Sequence, residues 1–175
     1  MKRKKWLLIA ITALMIAGLS SVSAEPDSIR GIAASYRLID TEQDTPLNTH
    51  LGKPLLLVFW AEWCGPCLSE IPLLNELHKK HQNDDLRIIA VNMDLTTAEN
   101  VRKIVQRQRI RYPVATPSPE LIQHYGVSAI PASYLYDRNG KLLKNWIGPP
   151  EHHDLERHIA AALSGEQVAE PVKKF

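Results

Sequence analysis

Apolar positions along the chain fall into two kinds of run. Leu55-Leu56-Leu57-Val58-Phe59-Trp60 is continuous and of strand length, the pattern of a central strand buried on both faces. Residues 86–92 repeat it, and residues 35–40, 112–115, 132–136 and 142–147 read as shorter strands. Between the strands the spacing becomes helical. Leu68, Ile71, Leu74 and Leu77 share one face, with Glu70, Asn75, Lys79 and Lys80 on others, which predicts a helix reaching about His81. Pro72 lies inside it and predicts a kink. Thr96 or Thr97 can cap a helix that runs to about Arg109. Residues 119–125 form a short helix closed by Gly126, and a last helix covers residues 151–163.

Asp137-Arg138-Asn139-Gly140 between two apolar runs is a hairpin signal. Residues 41–51, punctuated by Pro46, read as turns, residues 25–34 as a polar leader and residues 164–175 as a loose tail. The order of strands and helices predicts an α/β fold over residues 35–163, with a mixed sheet flanked by helices on both faces. No internal repeat is present.

The first 24 residues follow different rules. Met1-Lys2-Arg3-Lys4-Lys5 is basic, residues 6–19 are uncharged and largely apolar, and Val22-Ser23-Ala24 fits a cleavage site. This is the layout of a secretory signal peptide. The apolar run is short for a membrane span, which needs roughly 17–25 residues, and an uncleaved N-terminal anchor is the alternative. Either reading keeps the basic residues inside and places the rest of the chain outside the cytoplasm. The net charge of +2 therefore misleads. Four of the 21 basic residues and none of the 19 acidic ones lie in this segment, so the remainder is slightly acidic. No basic stripe argues for nucleic acid. The chain has 175 residues and is 45% hydrophobic, enough for one domain with a core that needs no disulfide staple.

That makes the cysteines informative. There are two, Cys64 and Cys67, in Trp63-Cys64-Gly65-Pro66-Cys67. The pair closes too small a loop to constrain the unfolded chain, so a structural bridge is disfavoured and a redox role is the natural reading. The motif sits where a buried strand gives way to a helix. Cys64 is placed at the helix N-terminus, where unpaired N–H groups and the helix dipole favour a thiolate. Cys67 lies one turn on, within reach of a disulfide, and would resolve a mixed disulfide formed on Cys64. Pro66 suits the first helical turn, and Gly65 lets a partner's backbone approach. Half a zinc site is the competing reading, but no third Cys exists and His78, His81, His152 and His153 form no matching motif. A peroxidase would need Pro and Thr or Ser ahead of its reactive Cys. Leu57 and Ala61 stand there for Cys64, and Trp60 and Cys64 for Cys67.

Phe59-Trp60-Ala61-Glu62-Trp63-Cys64-Gly65-Pro66-Cys67 resembles the active-site segment of thioredoxins, and Gly126-Val127-Ser128-Ala129-Ile130-Pro131 resembles the segment carrying their cis-proline. The export signal and the long stretch between Asn92 and Tyr125 are similar to the TlpA/ResA branch of that superfamily, with its central insertion. The resemblance implies a thioredoxin-like fold, Cys64 as attacking and Cys67 as resolving cysteine, and Pro131 as the cis-proline facing the disulfide and offering backbone to a substrate strand. Taken by itself, Pro131 could be a strand-edge proline. Thioredoxin's buried Asp is Val58 here, whereas the ResA-like branch has a Glu three residues after the second Cys, matched by Glu70. Such a carboxylate can shift thiol pKa values and accept a proton, although a helix Glu is ordinarily solvated. Trp60 and Trp63 are expected to pack around the site, Trp63 with a share in docking. Asp94 and Glu62 read as surface or capping residues, and His152-His153 as an exposed pair.

The Gly-Pro dipeptide and Ile130 before Pro131 resemble the reducing members of the superfamily. The expectation is an exported protein-disulfide reductase with no cofactor or metal, acting on protein disulfides and recharged by a membrane thiol reductant of the DsbD/CcdA type. An oxidase or isomerase with the same site, or a non-catalytic thiol- or metal-binding module, are the alternatives.

Overall fold

The computed structural model describes residues 28–166 apart from Glu42 and Asp84. The expected signal or anchor at residues 1–24 and most of the expected tail lie outside the described residues. Seven strands form one mixed sheet: β1 (Ser35–Leu38), β2 (Asp44–Pro46), β3 (Leu55–Trp60), β4 (Arg87–Asn92), β5 (Val114–Pro117), β6 (Ala132–Tyr136) and β7 (Leu142–Ile147). Their order is β2-β1-β5-β4-β3-β6-β7. The central β3 pairs parallel with β4 and antiparallel with β6. Every residue of β3 is buried, as its unbroken apolar run requires.

Four helices cover the sheet: α1 (Gly65–His81), α2 (Ala98–Gln108), α3 (Pro119–Tyr125) and α4 (His152–Ser164). Side chains alternate along β3, so Leu56, Val58 and Trp60 meet α1, α2 and α4 on one face. Leu55, Leu57 and Phe59 point the other way, towards α3 and the N-terminal segment. The caps agree with the sequence. Thr97 accepts from Asn100 N–H at the start of α2, and Gly126 and Gly165 end α3 and α4 in the left-handed conformation. α1 runs on through Pro72, which is exposed on its outer side.

Three expectations change. Residues 28–34 are not a free leader. Ser28 bridges to Lys141, Ile29 is buried beside Gly140, and Ala34 is buried as well. A short polar stretch with two anchoring apolar residues leaves too little periodicity to reveal this. The turns expected over 41–51 contain the edge strand β2 and a single 3-10 turn, Leu47–His50, whose Leu47 is fully buried. The strand expected at 112–115 is displaced to Val114–Pro117, and Tyr112 instead packs into the core under α1. At the hairpin Gly140 alone takes the left-handed φ, at +78°, and Asp137 Oδ1 accepts the N–H groups of Asn139 and Lys141. The two sheet edges are β2, with Asp44 and Pro46, and β7, where the register slips between Leu135 and Tyr136 of its partner.

Candidate active site

Strand register assembles the site. Phe59 pairs with Ala132 across the antiparallel β3–β6 ladder, so the chain leaving β3 runs beside the chain entering β6. The first carries Cys64, and the second carries Ile130 and Pro131. Cys64 and Cys67 form a disulfide with Cα atoms 5.3 Å apart. Cys64 is the N-cap of α1, and its Sγ accepts the Cys67 N–H at 3.2 Å. A sulfur in that position faces the positive end of a helix of 17 residues, which stabilises negative charge on it once the bond is reduced. Burial does not distinguish the two cysteines, which are 5% and 3% exposed. Position does, since Cys64 holds the cap and lies 3.7 Å from the Ile130 carbonyl oxygen.

The Ile130–Pro131 peptide is cis. The carbonyl of Pro131 accepts the Gly148 N–H at 2.8 Å, one step beyond the end of the β6–β7 ladder. Proline has no N–H, so the backbone this segment presents to the disulfide is that of Ile130. Trp63 is 73% exposed and does not pack around the site as expected. Its indole instead forms one wall of an open groove of about 630 Å³, shared with Leu95, Lys103 and Arg107. Trp60 does pack inward, with its Nε1 buried and without a partner.

Glu70 departs from the ordinary behaviour of a helix glutamate. It faces inward on α1, is 7% exposed, and its Oε2 has no hydrogen-bond partner. Burial raises its pKa to about 7, because the charged form has lost water without gaining a donor there. The carboxyl can therefore hold or release a proton near neutrality, one helical turn from Cys67. Tyr112 lies close enough for the Glu70 charge to add to the burial that pushes its phenol pKa up. Sequence offered no sign of Tyr112, which is brought in by the segment linking α2 to β5. That segment is braced against α1 by Asn75, whose side chain donates to Arg109 O and accepts the Arg111 N–H.

His152 and His153 are exposed at the start of α4. Among the described residues no group of three or more His, Cys, Asp or Glu side chains could hold a metal ion. The chemistry on offer is that of two sulfurs, a helix N-terminus and a carboxyl that titrates near pH 7.

The AhpC/TSA family model matches residues 29–144. The thiol-disulfide oxidoreductase ResA of Bacillus cereus is 30% identical over 169 residues, covering 91% of this chain and 97% of that protein. A thiol:disulfide interchange protein of the thioredoxin family from Chlorobium tepidum is 29% identical with a TM-score of 0.62, over 74% of this chain and 92% of its own. The exposed lipoprotein thioredoxin Etrx1 of Streptococcus pneumoniae is 26% identical with a TM-score of 0.63, over 73% of this chain and 98% of its own. A reactive pair at a helix N-terminus, on a thioredoxin-like sheet shared with such relatives, places the chain in the AhpC/TSA family as a ResA-like thiol–disulfide oxidoreductase.

Proposed function

We propose that the protein is an exported reductase of disulfides in other proteins, with Cys64 as nucleophile, Cys67 as resolving thiol and Glu70 as proton acceptor. The observation that carries the chemistry is the Cys64 sulfur at the α1 N-cap, accepting the Cys67 N–H, with the buried Glu70 carboxyl one turn beyond Cys67.

In the dithiol form the Cys64 thiolate attacks one sulfur of a substrate disulfide. A mixed disulfide forms and the first substrate thiolate leaves. Cys67 then gives its proton to ionised Glu70, and its thiolate attacks Cys64 Sγ. The second substrate thiolate leaves, and Cys64–Cys67 is the disulfide that remains. Two electrons have passed to the substrate. A carboxyl whose pKa is about 7 suits this step, because it can accept a proton near neutral pH and release it afterwards. Ile130 and Pro131 border the substrate on one side, and Trp63 offers an apolar contact on the other. A membrane thiol reductant of the DsbD/CcdA type would restore the dithiol.

Direction rests on the Gly-Pro dipeptide and Ile130, which match the reducing branch. Export rests on the layout of residues 1–24 and on the likeness to an exposed lipoprotein. The reduction potential of the pair tests the direction. A value near that of thioredoxin, roughly −270 mV, is expected, and one near the oxidase DsbA, roughly −120 mV, would overturn the reductase reading. Cys67→Ala, expressed in the native compartment, should accumulate mixed disulfides on Cys64. Equal trapping by Cys64→Ala would reverse the assigned roles.

A further inference from the structure

β3 and β4 end on the same rung, with Trp60 opposite Asn92. Two residues beyond that rung stand Glu62 past the end of β3 and Asp94 past the end of β4. Asp94 Oδ2 accepts the backbone N–H of Glu62 at 2.9 Å and the Asn92 Nδ2–H at 2.8 Å. Asn92 is completely buried, and its Oδ1 accepts the Asp94 N–H at 3.2 Å. Between these bonds the Met93 N–H donates to the Trp60 carbonyl at 2.8 Å. The heads of two parallel strands are thus tied together through one carboxylate oxygen.

What this oxygen grips is the approach to Cys64. Residues 61–64 form a single turn, closed by the Cys64 N–H donating to the Ala61 carbonyl at 3.2 Å. Glu62 is the second residue of that turn, so holding its N–H fixes the turn's plane. Its side chain is held as well, in an ion pair with Arg107 of α2. A loop leading into a reactive cysteine would otherwise be the least constrained part of the site. The half-buried Asp94 carboxylate is itself oriented by the fully buried Asn92, whose amide is hydrogen-bonded at both ends, a more elaborate support than an ordinary loop cap has.

We propose that Asp94 is a positioning residue of the redox site: by accepting the Glu62 N–H it sets the turn over residues 61–64, and through it the placement of the Cys64 sulfur against the Cys67 N–H and the Ile130 carbonyl.

A carboxylate that holds the turn carrying a thiolate acts in two ways of opposite sign. As a charge it disfavours the thiolate, as does Glu62, while Arg107 and the helix N-terminus favour it. As a clasp it keeps the sulfur where the Cys67 N–H stabilises it. Three substitutions separate the two. Asp94→Asn keeps an acceptor oxygen in place and removes the charge. Asp94→Glu keeps the charge and moves the oxygen outward by one carbon. Asp94→Ala removes both and leaves the buried Asn92 amide without its acceptor.

The measurement is the pH profile of Cys64 alkylation in the full chain, in a Cys67→Ala background that keeps the facing N–H and leaves one thiol. Glu70 and Tyr112, on the α1 side, are common to all variants. Asp94→Asn should leave the inflection at or slightly below the parent's, since it keeps the acceptor and removes only a repelling charge. Asp94→Glu and Asp94→Ala should move the inflection up by about one unit, so that alkylation below it slows about three- to fourfold, the loss of thiolate being partly offset by its higher intrinsic nucleophilicity. An unchanged profile in Asp94→Ala overturns the proposal. So does a parent-like Asp94→Glu beside a faster Asp94→Asn, since charge alone would then be acting. Should Asp94→Ala not fold, the Asn and Glu variants decide between clasp and charge by themselves. No substrate disulfide enters the measurement, so its outcome is independent of whether the site reduces or oxidises its partners.

Discussion

The two faces of the sheet bury polar groups in different ways. On the α3 face Tyr36 Oη meets His50 Nε2 at 2.6 Å, and Tyr125 and Tyr136 share a hydrogen bond of 2.8 Å between their hydroxyls. Every one of these groups has a partner. On the α1 face Trp146 and His158 are likewise tied to Asp154. Near the disulfide the pattern breaks: among the described residues, the buried side-chain atoms without a partner are Trp60 Nε1 and Glu70 Oε2. Folding favours closing such gaps, because an unpaired buried polar atom costs about 1–3 kcal/mol. One face is built for stability. The other gives up some stability beside the disulfide, where a carboxyl oxygen and an indole N–H stay unpaired.

The largest effect that sharpens this contrast should come from Glu70→Gln. The carboxyl titrates near its ordinary 4.5 in the unfolded chain and at about 7 in the fold. The folded state therefore holds the proton more tightly, and stability drains away as pH rises from 4.5 to about 7. At pH 8 the oxidised Gln variant should exceed the parent by about 3 kcal/mol in denaturant unfolding, with the gap closing near pH 4. The same variant should lose the inflection near pH 7 in its exchange rate. A gap that does not vary with pH would mean that Glu70 is solvated.

His50 should show the opposite slope. Burial, then the nearby Arg87 charge, lowers its pKa from 6.5 to about 4. Its contribution is present above pH 6.5 and lost as pH falls towards 4. His50→Gln removes that loss, so the variant should gain on the parent by about 2 to 3 kcal/mol across this window, apart from a constant packing offset. Exchange at Cys64 should be unaffected. A smaller and purely steric break of the α3 face is Gly140→Ala. Its φ is +78°, and a Cβ would lie 2.6 Å from Leu51 Cδ2 and 2.7 Å from Ile29 Cγ1. Unfolding should become easier by about 1 to 2 kcal/mol with the exchange rate unchanged. A fall in exchange rate matching the loss of stability would show that the two faces are not separable.

The chain announces one face far more clearly than the other. The β3 run, the helical spacing of Leu68, Ile71, Leu74 and Leu77, and the Cys pair at their junction carry strong local signals, and each appears where expected. Glu70 was legible only through the ResA resemblance, since nothing local distinguishes a buried glutamate from a solvated one. The rest depends on pairing between distant segments. Tyr112 reaches Glu70, Asp94 reaches Glu62, and Ile29 reaches Gly140 only once strand register is set. Trp63 departs from the packing expected of it but not from the exposure a docking role needs: it is exposed and lines the open groove.

The sheet's two edges bear on the company such a protein keeps. Substrates of a disulfide exchanger are partly unfolded chains, whose free strands can add to any open sheet. The β2 edge offers only three residues, among them Asp44 and Pro46, and β7 is interrupted by its register slip and carries Lys144. Short, charged, proline-bearing or bulged edges are poor templates for a further strand. On the proposed function, a client would then be held by the one covalent bond at Cys64 that the chemistry itself releases, with no added strand tying it to the sheet.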